Sequence, residues 1–155
     1  MKIINKKFFY SISITLGIFF FDLLTKFYVR ENYENLIYGY KIFNGLNFVY
    51  VENKGISFGL FSEFDISRVL GIISLIISGY IIFLIRKSSY PIEIFGLSLI
   101  LGGAIGNGYE RIFQGFVIDF IDVYINEYHW PSFNIADLSI TVGAIFFLIS
   151  IARYN

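Results

Sequence analysis

Val69-Leu-Gly-Ile-Ile-Ser-Leu-Ile-Ile-Ser-Gly-Tyr-Ile-Ile-Phe-Leu-Ile85 is a run of 17 residues without a charge, closed by Arg68 on one side and by Arg86 and Lys87 on the other. A helix of about 20 residues crosses the roughly 30 Å of bilayer hydrocarbon, so this run reads as a membrane span with basic ends. Three further uncharged runs, Phe8 to Phe21, Ile94 to Tyr109 and Leu138 to Ala152, hold 14, 16 and 15 residues. Each falls short of a crossing and must recruit the charges at one end: Asp22 and Lys26, Glu110 and Arg111, and Asp137.

The chain has 155 residues, 56% apolar and 21% aromatic, with a mean hydropathy of +0.67. That is more apolar surface than a small soluble domain can hide. The expectation is one all-α membrane domain over 1–155, with four spans at about 8–27, 68–86, 92–111 and 135–153. Lys2, Lys6, Lys7, Arg86, Lys87 and Arg153 flank ends that would share one side, with Glu93 the only acid among them. The positive-inside rule makes those ends, and both termini, cytoplasmic. The loops 28–67 and 112–134 then lie outside, and Asp22, Lys26, Asn107, Glu110, Arg111, Asp119 and Asp137 all come out near the outer leaflet.

A formal net charge of zero and the lack of a one-faced basic cluster argue against a nucleic-acid partner. Without cysteine there are no disulfides, thiol chemistry or thiolate metal sites, and one histidine cannot build the usual zinc site. No metal and no cofactor are expected. The lysine-rich N-terminus resembles a secretory signal, but no small-x-small site follows Phe21, so the segment reads as a retained anchor.

The inner turn Arg86 to Pro91 is short enough to make the second and third spans antiparallel neighbours. In the first outer loop, Asn44-Gly45 between Lys41-Ile-Phe and Leu46-Asn-Phe-Val-Tyr-Val-Glu52 predicts a hairpin and a small extracytoplasmic β-sheet, with Phe48 and Tyr50 dipping into headgroups. Asn53-Lys-Gly55-Ile-Ser-Phe-Gly59 comes next, rich in residues that permit tight turns. Gly102 and Gly106 have the spacing that lets helix backbones approach in lipid. Asn107 has two readings: a hydrogen bond across helices, or a support for a carboxylate.

A carboxylate against hydrocarbon costs on the order of 3 kcal/mol on insertion scales. Asp22 and Lys26, at i and i+4, read alone as a self-neutralising pair at the interface. Arg111 beside Glu110 either anchors a loop by snorkelling or positions a substrate or neighbour. Asp137 alone fits the third position of a helix capped by Asn134. Asp119 interrupts a strand-like segment and, taken alone, fits an edge-strand charge. Together the two acids suggest an acid and base sharing one water, because mutual repulsion splits their pKa values. Asp122 would point to the opposite strand face and is left out; His129, beside Trp130 and Pro131, reads as part of an interfacial aromatic cluster. No nucleophilic serine motif appears, and Ser57, Ser132 and Ser139 lack a neighbouring histidine in sequence.

Across most of its length the chain resembles the lipoprotein signal peptidases (signal peptidase II), aspartic proteases of the bacterial inner membrane. The resemblance lies in Asp22-x-x-Thr-Lys26, Asn53-x-Gly55-x-x-Phe-Gly59, Gly102-Gly-Ala-x-Gly-Asn107 with Arg111, Val117-x-Asp119-Phe, and Pro131-x-Phe-Asn134-x-Ala-Asp137. It implies a catalytic dyad of Asp119 and Asp137. It also implies a site lined or braced by Asp22, Lys26, Asn53, Gly55, Asn107, Glu110, Arg111, Asn134 and Ala136. The implied substrates are diacylglyceryl-modified prolipoproteins, cut before the lipidated cysteine without metal or cofactor, by a monomer whose other partners are membrane lipids. Two motifs depart from the family: the usual Asn-Leu-Ile-Asp-Arg reads Asn107-Gly-Tyr-Glu110-Arg111, and the usual Gly-Ala-Ala-Phe reads Gly55-Ile-Ser-Phe58.

The implied mechanism is direct attack of water, with one ionised aspartate as base and its protonated partner polarising the carbonyl. A proton carrier would use the same intramembrane acids. It would also need polar residues through the inner halves of the spans, where Val69 to Ile85 and Leu138 to Ala152 offer only serines, a threonine, a tyrosine and glycines. A non-catalytic assembly factor with an acidic rim is the third reading.

Overall fold

The computed structural model describes residues 2–55 and 66–154, with side chains described from Lys6 onward; Ser57, Phe58 and Gly59 lie outside the described residues. In chain order it contains α1 (Lys2–Glu31), α2 (Tyr33–Leu36), β1 (Tyr40–Phe43), β2 (Leu46–Asn53), α3 (Ser67–Lys87), α4 (Pro91–Phe113), β3 (Val117–Ile125), β4 (Tyr128–His129) and α5 (Ile135–Tyr154). Four helices, α1, α3, α4 and α5, are long and apolar enough to cross a membrane.

The helix α4 packs against each of the other three and is the most buried of them. Its small residues make this possible. A Cβ on Gly102 would lie 2.8 Å from the Ile18 Cβ of α1, and one on Gly103 would collide with the Ala136 carbonyl and Ser139 of α5. Between helices, hydroxyls replace water as partners: Ser11 and Ser98 share a hydrogen bond of 2.7 Å, and Ser74 donates to the Ala104 carbonyl at 2.8 Å. Ile81, Ile85, Ile94, Leu97 and Leu101 form the apolar seam of α3 and α4. Pro91 occupies the first turn of α4, where a missing backbone N–H costs nothing.

The sheet is larger than the sequence suggested. It has four antiparallel strands in the order β1-β2-β3-β4, and two of them come from the second long connection. Val117–Ile125 closes on β2, with Val51 opposite Asp119 and Asn53 opposite Val117. The Asn44-Gly45 turn joins β1 to β2, with Gly45 at φ +100°, a conformation L side chains avoid. Val29, Leu36, Ile118 and Phe120 bury the sheet's inner face against α1 and α2. The sheet therefore sits over the bundle end where α1 and α4 finish and α3 and α5 begin.

Candidate active site

Asp119 projects from β3 and Asp137 from the first turn of α5. Asp119 is no edge-strand charge. It is 3% exposed, paired with β2, and followed by a bridge from Ile121 to Phe133 that covers the other side of the strand. Both acids line one cavity of about 490 Å³, together with Asn53, Asn107 and Arg111.

Three asparagines hold the acids, and each is oriented by what its oxygen accepts. Asn53 accepts from the Gly55 N–H at 3.0 Å, an Asx turn that leaves its Nδ2 to donate to Asp119 Oδ2 at 2.9 Å. Asn107 accepts from Lys26 Nζ at 2.9 Å and donates to Asp137 Oδ1 at 2.8 Å. Asn134 accepts from the Asp137 N–H at 2.9 Å and donates to Asp119 Oδ1 at 2.7 Å; its own N–H donates to Asp137 Oδ2 at 3.3 Å. Asn134 and Asp137 thus make a reciprocal helix cap while the same asparagine reaches the second acid.

Behind this layer lies a buried charge network. Lys26 Nζ is 2.7 Å from Asp22 Oδ2 and 3.1 Å from Glu110 Oε2, and all three residues are at most 1% exposed. The i,i+4 pair seen in the sequence is therefore no interfacial anchor; α1 turns it into the bundle, where Glu110 and Asn107 of α4 complete it. Asp22 Oδ1 accepts from the Ala136 N–H at 2.9 Å, tying α1 to the start of α5. This approach needs Gly106, where a Cβ would sit 2.8 Å from Asp22 Oδ2. Glu110 Oε2 also accepts from the Ile118 N–H at 3.2 Å, one residue before Asp119. Arg30, which the sequence did not single out, lies 3.4 Å from Glu110 Oε1 and hydrogen-bonds Gln114.

Arg111 lines the cavity and donates to Ser67 Oγ at 3.4 Å, with its charge felt by Asp119, Asp137 and Glu110. Burial, with the Asp137 carboxylate adding to it, pushes the Asp119 carboxyl up to about 6, against the opposing pull of Asn53, Asn134 and Lys26. Among the described residues no group of acids, histidines or cysteines could hold a metal ion. A protonated acid and an ionised one facing a single cavity can activate water and protonate a leaving group.

Residues 14–153 match the family described as Signal peptidase (SPase) II. The chain belongs to the signal peptidase II family. It is 44% identical over 129 residues to a lipoprotein signal peptidase of Francisella tularensis subsp. novicida (strain U112), covering 80% of each chain. It is 41% identical over 132 residues to one from Wigglesworthia glossinidia brevipalpis, covering 84% of this chain and 86% of that one. A solved structure described as a bacterial membrane enzyme superposes with a TM-score of 0.83 at 30% identity, covering 92% of this chain and 87% of the other. A second so described gives 0.81 at 30% identity with 94% of each covered. Glu110, in one of the two motifs expected to depart from the family pattern, falls inside the charge network; Ile56, Ser57 and Phe58 of the other lie outside the described residues.

Proposed function

We propose that Asp119 and Asp137 are the catalytic dyad of this signal peptidase II. As a member of that family the chain is a membrane hydrolase that removes signal peptides from prolipoproteins. The observation that carries the residue assignment is the asparagine trio, which presents the buried Asp119 carboxyl and the half-buried Asp137 carboxyl to one cavity.

Burial, with the Asp137 charge adding to it, raises the Asp119 carboxyl, so in this reading Asp119 is the protonated member of the pair. Asp137 then takes a proton from water as the water oxygen bonds to the scissile carbonyl carbon. Asp119 donates a hydrogen bond to the carbonyl oxygen, which becomes a hydroxyl of the tetrahedral intermediate. Collapse breaks the C–N bond as Asp137 passes its proton to the leaving nitrogen and one hydroxyl of the intermediate returns a proton to Asp119, restoring the pair. No covalent intermediate forms. Arg111 balances the charge beside the pair, and Asn53, Asn107 and Asn134 hold both acids in place.

The bond cleaved is the one before the diacylglyceryl-modified cysteine. Leu138, Ile140 and Thr141 continue the cavity down α5, where the acyl chains would meet lipid. The chain works as a single integral membrane domain over 1–155 and as a monomer, with both termini cytoplasmic and the cavity near the outer leaflet. Its partners are prolipoproteins and lipids, without a nucleic acid. Purified protein with a synthetic lipidated prolipoprotein tests the reading. Asp119→Asn and Asp137→Asn should fold yet lose on the order of 10³-fold or more in kcat; either variant turning over at near wild-type rate removes the dyad.

A further inference from the structure

Asp122 is a buried carboxylate, 6% exposed, that the dyad chemistry does not use. It lies on the β3 face opposite Asp119. Asn47 of β2 donates to its Oδ2 at 2.9 Å, and His129 Nδ1 lies 2.8 and 2.9 Å from its two oxygens. The His129 ring also stacks on Tyr124, with centroids 5.0 Å apart and planes 16° from parallel.

The residues just beyond His129 give this cluster a purpose. Trp130, Pro131, Ser132 and Phe133 all line the cavity, and the next residue is Asn134, which holds both acids. This strap is tied to β3 along its length: the Trp130 N–H donates to the Val123 carbonyl at 2.8 Å, and Phe133 exchanges backbone bonds with Ile121 at 3.1 and 2.8 Å. At its far end the ladder thins to a two-residue strand whose Tyr128 is 83% exposed. There the side-chain contact supplies the hold that so short a ladder lacks.

We propose that the Asp122–His129 clasp positions the Trp130–Phe133 strap as the substrate-binding wall of the cavity. His129 is then a positioning residue for prolipoprotein binding, acting through the strap and not on the reacting atoms. The inference rests on the peptidase reading for its substrate, but its geometry can be tested without turnover.

Trp130 is the chain's one tryptophan and sits in the strap, so its emission reports the strap directly. The experiment uses the full chain in detergent micelles, a synthetic diacylglyceryl prolipoprotein as probe, steady-state kinetics and Trp130 emission. His129→Phe keeps the ring stack on Tyr124 and loses the polar contact. It should raise KM roughly five- to tenfold with kcat within about twofold, the pattern of lost uniform binding. Emission without substrate should shift as the indole environment loosens. Asp122→Ala should raise KM at least as much, since it also strips Asn47 of its acceptor, and the double variant should be no worse than Asp122→Ala alone, because the His129 contact is already gone there. Asp122→Asn keeps an acceptor for the imidazole N–H and for Asn47, and should stay near wild type. Unchanged KM and emission in His129→Phe overturn the proposal, as does a fall in kcat at unchanged KM. An inactive wild type would instead overturn the peptidase reading, and the emission shift would still decide the clasp.

Discussion

Lys26 donates to the Asn107 side-chain oxygen at 2.9 Å from inside the bundle, and that contact decides which end of the amide meets Asp137. The lysine also pairs with two acids that are at most 1% exposed, Asp22 and Glu110, the second of them shared with Arg30. Lys26→Met keeps the stem's packing but leaves Asp22 buried without a cation and Glu110 with Arg30 alone. Breaking a buried pair from one side costs about 3–5 kcal/mol, so the variant should unfold at much lower temperature in a detergent melt and lose activity with it. Asn107→Ala should separate the two effects: a stability loss of about 1–3 kcal/mol and a kcat reduced by on the order of 10²-fold.

Asn134 does two jobs that different substitutions can separate. Alanine removes the cap of α5 and the Asp119 contact together; serine restores a capping oxygen but cannot reach Asp119 with an amide. Asn134→Ala should cost about 0.5–2 kcal/mol and Asn134→Ser a fraction of that. Activity should fall in both by on the order of 10²-fold. Recovery of activity alongside stability in the serine variant would argue that the Asp119 contact is dispensable.

The Asp119 carboxyl stands at 3.8 ordinarily and at about 6 in the fold, so the folded chain holds that proton more tightly than the unfolded chain. Its stabilising contribution is full below about pH 3.8 and is lost as pH rises through about 6, a difference on the order of 3 kcal/mol. Melting temperature should decline across that window in wild type and decline less in Asp119→Asn. The kcat/KM profile should fall as pH rises above about 6, where the dyad loses its shared proton. The kcat limb should lie at higher pH, because bound substrate excludes more water from the acid.

Glu110 spans from Lys26 to the Ile118 N–H, a reach that uses a stem one methylene longer than an aspartate's. Glu110→Asp can keep one of these contacts at its present geometry and not both. Its kcat should drop by roughly tenfold with a melting point a few degrees lower, whereas Glu110→Ala, which leaves Lys26 to Asp22 and Asn107 but strips the Ile118 N–H of its acceptor, should lose about 1–3 kcal/mol. Equal behaviour of the two would mean the carboxylate does no bracing of β3.

Local patterns in the sequence carried the helices and the hairpin, and long-range partners carried what was missed. Absence of charge over Val69 to Ile85 needs no partner to mean a helix, and Asn44-Gly45 needs only its own backbone to mean a turn. The pairing of β3 with β2 joins residues such as Asn47 and Asp122, 75 positions apart, which no local window contains. The burial of Lys26 was hidden for the same reason, since its i,i+4 acid was visible but Asn107, 81 residues on, was not. Period-two alternation correctly turned Asp122 away from Asp119, yet said nothing of the asparagine and histidine waiting on that side.

Asn107 is followed by Gly108, the dipeptide in which an asparagine side chain most readily cyclises onto the next backbone nitrogen and ages to aspartate. Here both residues lie within α4, with the Gly108 nitrogen inside a helical turn and the amide held between Lys26 and Asp137. The packing that aims the amide therefore also preserves it: a third carboxylate beside Asp137 would accumulate only in chains whose α4 has frayed, a protection that the exposed Asn44-Gly45 turn does not share.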